Sequence, residues 1–591
     1  MPLGMLSRQR SPVPAPWSTS CADVLQPHYA IDLREPERHR IQITLTVTAS
    51  GDELQLSLPC WTPGSYLERD YVRHLEGLWA RCGERLLQPQ RCDRHSWRIT
   101  GISRGESIEV HYTVLGVESS VRTNWLDGQS GFLTAAAWAL GVEGCRWQPH
   151  QLSVQLPEGW QVATALSRVD GGWCASDYDQ LIDAPLALGH LAQLDFSVGG
   201  VPHHWVWQGL LQPAPVAAWQ EHLPRLCSAV CALIGTDRPA SDDYLFMTRF
   251  TADGYGGLEH DDCTALMFCR RQLATTAGSR KLLQLAAHEY LHQWNVRRLR
   301  PAQLRPYRYD GAVLIPELWF AEGVTSYYDQ LVLLHAGLCS ESDYLGDLAK
   351  DISRLLTTPG RSVQSLLESG TEAWVKLYRR DAHSDNQQVS YYLKGAMVAL
   401  LIDLYLLAKG SGLHVLLQQL WQRFGSCKRG YTQQDLMAAI TALDADLGTL
   451  VQEWLSGVDD LPLAGYLKNA GLLLSSEPCS VPFSGLHLDL VQGQLQVRRV
   501  ESNSPGEDAG LSPGDELLAL DGERLRRSEQ FDQWLVAGLD QQLLICRDGA
   551  VRSMVLSSHP PQPKSWSLRL DPEANEEACR LRHRWFTGPT L

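Results

Sequence analysis

The strongest constraint on the fold is a change of hydrophobic period along the chain. From about Tyr29 to Gly200 apolar residues alternate with polar ones. Ile41, Ile43, Leu45 and Val47 do so, as do Leu54, Leu56 and Leu58, then Ile108, Val110, Tyr112 and Val114, then Leu152, Val154 and Leu156. A period of two puts every second side chain on one face, so each run predicts a strand with one buried side. Many such runs between Gly, Pro and Asp turns predict an N-terminal β-sandwich or related all-β domain. From about Pro213 to Leu461 the spacing becomes helical, with long patterns over 280–299, 317–336 and 391–407. A short strand is expected over 244–251, before the Gly-rich stretch 254–257. From about Gly471 to Ser557 short strands return. The expected organisation is multidomain α+β: a disordered leader over 1–25, a β-domain over 26–205, a mainly α domain over 206–465, a small strand-rich module over 466–558, and a tail over 559–591 with one short helix.

Composition narrows the possible roles. The chain has 591 residues, which suggests about three or four domains. Its formal charge of -15 argues against a nucleic-acid partner, because phosphate binding needs a basic surface. Fifteen cysteines, an odd number with no CxxC pair, read as reduced thiols rather than a disulfide framework. No apolar run approaches the roughly 20 residues that span a bilayer, so no membrane partner is expected. The longest run, 396–408, is interrupted by Asp403 and reads as a buried helix. The first 25 residues are rich in Pro, Ser and Arg and lack an apolar signal core, so a cytoplasmic location is expected.

His288-Glu289-Tyr290-Leu291-His292 is an H-E-x-x-H pattern. On a helix, residues four apart share a face, so both imidazoles can reach one ion at about 2.0–2.1 Å. The alternative is two packed histidines on an ordinary helix. A catalytic zinc needs a third protein ligand and an open position. Glu322 lies in the apolar stretch 318–325, where an unpaired carboxylate would be costly and a cation would satisfy it. Glu317 is the competing ligand, although acids at a helix start are also favoured by the helix dipole. Arg297, Arg298 and Arg300 would suit the negative end of the His288 helix.

Taken together, these blocks resemble the glycyl aminopeptidase family of gluzincin metallopeptidases. They run His288-Glu289-x-x-His292-x-Trp294-Asn295-Val296-Arg297-Arg298 and then Leu318-Trp319-Phe320-x-Glu322-Gly323-x-Thr325-x-Tyr327-Tyr328. Trp61-x-Pro63-Gly64-Ser65-Tyr66-x-x-Arg69-Asp70 resembles that family's β-domain signature. The resemblance implies a thermolysin-like, mainly α catalytic domain, a Zn2+ cofactor held by His288, His292 and Glu322, and Glu289 as general base. It also implies that Gly256, Gly257 and Glu259, within Tyr255-Gly256-Gly257-Leu258-Glu259-His260, line the substrate cleft, with Glu259 holding the free amine of a peptide substrate. Tyr392, aligned on the Lys394-Gly395 pair, is the implied oxyanion donor, with Tyr391 as the fallback. The implied activity is removal of small first residues such as Gly or Ala. An endopeptidase and a non-catalytic peptide binder are the competing readings.

The stretch Ser504-Pro505-Gly506-x-x-Ala509-Gly510-Leu511-x-x-Gly514-Asp515, followed by Leu517-Leu518-Ala519-Leu520-Asp521-Gly522, resembles a PDZ domain. Gly485, Leu486, His487 and Leu488 would then form a loop whose backbone N–H groups capture the C-terminal carboxylate of a peptide partner. A PDZ fold that only buttresses the neighbouring domain is the alternative. The chain's own end, Thr590-Leu591, is a candidate occupant of that groove.

Overall fold

The computed structural model describes residues 26–210, 214–477 and 479–589. The expected leader, Pro213 and the Thr590-Leu591 terminus lie outside the described residues. Two compact units emerge, one of residues up to 313 with 421–431, the other of 314–420 with 432–589.

In the first unit the period-two runs become strands. Arg40–Thr48 and Ser107–Leu115 bury alternate residues and pair antiparallel, with Ile43 opposite Tyr112 and Leu45 opposite Val110. They sit near the centre of an eight-stranded sheet that also holds His28–Asp32, Leu75–Cys82 and His150–Gln155. Two four-stranded sheets complete this part. Their inward faces share one core, including Tyr29, Ile43, Leu56, Trp138 and Leu186. Burying each large apolar side chain contributes roughly 1.5–3 kcal/mol, so the alternation itself drives the β-sandwich-like layering.

The boundary expected at 205 lies earlier. Ala192–Val198 and Val201–Gln208 join Tyr244–Thr251, Cys263–Cys269 and Tyr255–Glu259 in a five-stranded sheet. Alternation along a strand does not name its partner, and here the partner is the parallel strand Tyr244–Thr251. Tyr255–Glu259 is the edge strand of this sheet.

The helix expected over 280–299 runs Thr276–Leu291, with Thr275 accepting a capping hydrogen bond from Gly278 N. It ends well before Pro301. Residues 292–298 turn instead, with Arg297 N bonded to His292 O and Leu299 N to Trp294 O. The arginines explain the early stop. Arg297 pairs with Asp183 at 2.7 Å and Asp261 at 2.8 Å, and Arg298 pairs with Asp262 at 3.1 Å, so these cations serve ion pairs rather than the helix end.

In the second unit the segment Trp319–Val324 is wound as a π-helical turn and continues as the helix Thr325–His335. It packs against Tyr391–Ala408 through two glycines. A Cβ on Gly323 would sit 2.6 Å from Gly395 Cα, which only glycine tolerates. The helix Tyr391–Ala408 is long and apolar enough to cross a membrane by length and composition, yet 78% of it is buried within the protein. Its Asp403 accepts from Tyr327 Oη (2.5 Å) and Leu413 N (2.8 Å), and burial pushes its carboxyl up to about 6. Strands Leu486–Val491, Gln494–Val500, Glu516–Leu520, Asp540–Arg547 and Ala550–Ser557 form a separate sheet with its own core around Leu517, Phe531 and Ile545.

The expected tail is part of the packed structure. Trp566–Leu570 pairs antiparallel with Leu472–Ser476, and Glu576–Thr587 is a helix. Its Trp585 is fully buried and donates to Tyr327 Oη at 2.9 Å. The segment reads as solvent-facing because its apolar contacts, Ala578, Leu581 and Trp585, form one narrow stripe amid charged residues.

Candidate metal centre

His288 and His292 close the helix Thr276–Leu291, one turn apart, with ring centroids 4.6 Å from each other and planes at 87°. His288 is half-buried and His292 is 1% exposed. The early end of the helix has a use here. It frees the Asn295 carbonyl, which takes a 2.6 Å hydrogen bond from His292 Nδ1. That bond orients the ring and leaves Nε2 as the donor atom for a metal.

Between the two histidines, Glu289 points at the edge strand Tyr255–Glu259. A Cβ at Gly257 would lie 2.0 Å from Glu289 Oε1, so only glycine lets the strand pass this close to the carboxylate. Glu259 ends the same strand, 3% exposed. Gly64, with φ +84°, brings the β-domain turn against it; a Cβ there would meet Glu259 Oε2 at 2.5 Å. Arg122 reaches from the β-domain as well, donating to Gly257 O at 2.8 Å. Gly256, with φ +156°, passes beside this guanidinium.

The ligand-capable atoms of Glu259, Glu289 and His292 all lie within 4.8 Å of one another. Glu289 is 4% exposed, and Glu259 Oε1 has no hydrogen-bond partner among the described residues. Two buried carboxylates at this spacing repel each other and are costly to desolvate unless cations join them. The donor chemistry therefore fits a divalent metal on the imidazole side and a second cation beside Glu259.

In the second unit Glu322 lies in the π-helical turn, 1% exposed. Its negative charge is one cause, after burial, that pushes the Tyr392 phenol well above its ordinary range. Tyr392 Oη bonds Tyr378 Oη at 3.0 Å, and Tyr391 stacks on Tyr392 with centroids 4.7 Å apart. Tyr391 is fully buried, whereas Tyr392 is partly exposed. Glu317 has a different use, accepting from Gln433 N (2.8 Å) at the start of the helix Gln433–Leu443. Tyr378, Arg122 and Asn295 escape sequence reasoning, because only long-range packing brings them to their partners.

Farther along, Gly485, Leu486 and His487 line a cavity of about 570 Å³ together with Arg361, Arg499 and Lys564, while Leu488 does not reach it. Gly485 needs its φ of +73°, and Leu486 N bonds Ser484 Oγ at 3.2 Å. His487 Nε2 lies 2.5 Å from Glu501 Oε1 and 2.6 Å from Arg499 Nη2, and it can donate to the first or accept from the second, not both.

One variant tests the strand contact. Gly257→Ala should lower kcat/KM by about 10- to 100-fold while leaving the bound metal and the melting temperature near wild type, because the displaced group is the Glu289 carboxylate. Unchanged turnover would show that the strand yields without cost.

An HExxH helix beside a glycine-lined edge strand is the residue pattern of a metallopeptidase. Residues 28–190 match the peptidase M61 N-terminal domain, and residues 281–398 match the M61 glycyl aminopeptidase family. Two segments of the chain are thus similar to the N-terminal and catalytic domains of peptidase M61.

A crystal structure of an aminopeptidase N family protein from Idiomarina loihiensis is similar over 95% of this chain and 100% of that one, at 28% identity and TM-score 0.88. An M1 zinc metallopeptidase from Deinococcus radiodurans aligns over 75% of this chain and 95% of its own, at 14% identity and TM-score 0.47, too distant to argue from. A stretch of 67 residues is 40% identical to the magnetosome formation protease MamE of Paramagnetospirillum magneticum. That match spans 11% of this chain and only 9% of the relative's length.

Proposed function

We propose that the protein is a zinc-dependent aminopeptidase that removes small N-terminal residues such as Gly or Ala from peptides. The observation that carries this reading is the buried Glu259 carboxylate clustered with Glu289 and His292. A substrate ammonium offsets the charge of Glu259 by a charge-assisted hydrogen bond. The neutral backbone of an internal cleavage site does not, which counts against the endopeptidase reading.

His288, His292 and Glu322 would hold zinc, a donor set typical of a catalytic site. Zinc bound there supplies Lewis acidity toward the scissile carbonyl and the attacking water. Glu289 accepts the proton of that water and returns it to the leaving amine. Tyr392, kept protonated by burial and by the Glu322 charge, donates to the developing oxyanion. Glu259 fixes the N-terminus, so one residue is released per turnover.

A peptide panel with free and acetylated N-termini, run with metal analysis, tests the proposal. The expected result is about one zinc per chain, cleavage of free Gly- and Ala-peptides, and loss of cleavage on acetylation or chelation. Equal rates on acetylated peptides would turn the reading to an endopeptidase. A metal-free, inactive chain would turn it to a binding protein.

A second reading concerns the small C-terminal sheet, which we propose is a PDZ domain. The cavity beside Gly485, Leu486 and His487, whose walls carry Arg361, Arg499 and Lys564 along with Glu501 and Asp532, supports a site for a peptide C-terminus. Titration with a free-carboxylate hexapeptide should give binding that its amide lacks. Equal binding of both forms would leave the module a purely structural part.

A further inference from the structure

We infer that Arg122 receives a carboxylate of the peptide substrate and so makes the enzyme favour short or acidic peptides. This inference rests on the aminopeptidase reading. Arg122 belongs to the β-domain, and its backbone is held by Ser120 Oγ and Tyr71 Oη. Its guanidinium is half-buried at the edge strand of the five-stranded sheet. One amino group donates to Gly257 O (2.8 Å), and Nε is buried without a hydrogen-bond partner. Among the described residues no carboxylate pairs with it. Arg146, Arg297 and Arg298, three other arginines of this unit, each face an aspartate. A guanidinium withdrawn from water without a counter-ion favours an anion that arrives with a ligand.

Geometry along the strand says which part of the ligand that is. Glu259, at one end, takes the substrate ammonium. Two residues back, Gly257 faces Glu289, where proton transfer occurs. One residue further, a Cβ at Gly256 would lie 3.4 Å from Arg122 Nη1. The order along the strand is thus amine anchor, general base, guanidinium. The guanidinium, bonded to Gly257 O and beside Gly256, lies two to three residues of strand from Glu259, about 7–10 Å, the span of an extended di- or tripeptide. The carboxylate of a tripeptide, or an acidic side chain near its cleavage site, falls beside Arg122. Both sources offer the same planar, bidentate partner.

The test compares the full-length zinc enzyme with Arg122→Gln and Arg122→Lys on four substrates. These are alanine p-nitroanilide, which has no carboxylate, Ala-Ala-Ala, its C-terminal amide, and a tripeptide amide with Asp second. Arg122→Gln should cut kcat/KM on Ala-Ala-Ala by about 10- to 100-fold through KM, with the anilide within about two-fold of wild type. Amidation should cost the wild type a similar factor and add nothing in the Gln variant. Arg122→Lys should restore part of the loss, and melting curves should match. Loss on the Asp peptide instead of Ala-Ala-Ala would support the side chain as the carboxylate source. Equal loss on all four substrates, the signature of a residue that only supports the strand, overturns the inference, as does no loss on any. A wild type that cleaves none of them, anilide included, overturns the aminopeptidase reading and this inference with it.

Discussion

Glu289→Gln will bind zinc, melt like the wild type and lose turnover by about 10²–10⁴-fold. The size follows from the role. In the proposed mechanism the carboxylate moves a proton off the attacking water and onto the leaving amine, and an amide of the same shape does neither. The fold should tolerate the change, because Gln retains the volume that presses on Gly257. Removing one of two clustered carboxylates also relieves repulsion with Glu259, so stability should hold or rise slightly. Metal analysis, a thermal melt and kcat on an alanine anilide check the three statements. A Gln variant that turns over at wild-type rate would remove Glu289 from its assigned place.

The second large effect is expected at Glu259. Glu259→Gln should lower kcat/KM on free-amine peptides by about 10²–10³-fold, because a buried ammonium left facing a neutral amide loses a charge-assisted partner. The loss should be specific. Acetylated peptides, already poor, should change little, so the ratio between the two classes should collapse. If both classes fell together, Glu259 would be acting through the strand rather than on the amine. Gly64 supplies a further check, because its backbone closes over this carboxylate with no room for a Cβ.

Much of the candidate site could be read before any coordinates. The spacing of His288 and His292, the acid between them and the isolated carboxylate Glu322 in an apolar helix are local features, and their chemistry follows from residue type. The long helix 391–408 and the strands of the β-domain were legible for the same reason, since apolar periodicity reports burial directly. The end of the His288 helix was not. Trp294, Val296 and Leu299 continue its apolar pattern, but Arg297 and Arg298 are drawn to Asp183, Asp261 and Asp262, which precede them by 36 or more residues. The packed C-terminal segment was hidden in the same way, because its large anchors, Trp585 and Phe586, find distant partners, Trp585 reaching Tyr327 across 258 positions.

By itself the sequence determined the alternation that makes the strands, the apolar stripes that make the helices, and the residue types able to bind a metal and move a proton. Each of these depends on neighbours within a turn or two. Only the tertiary structure decided that Gly64 and Gly257 meet the carboxylates of Glu259 and Glu289, that Arg122 reaches the Gly257 carbonyl, that Ala192–Val198 and Val201–Gln208 belong to the five-stranded sheet, and that the last helix buries one apolar stripe. Those outcomes turn on which distant surface each segment covers. That choice is made by the summed burial and ion pairing of the whole chain, which no local window contains.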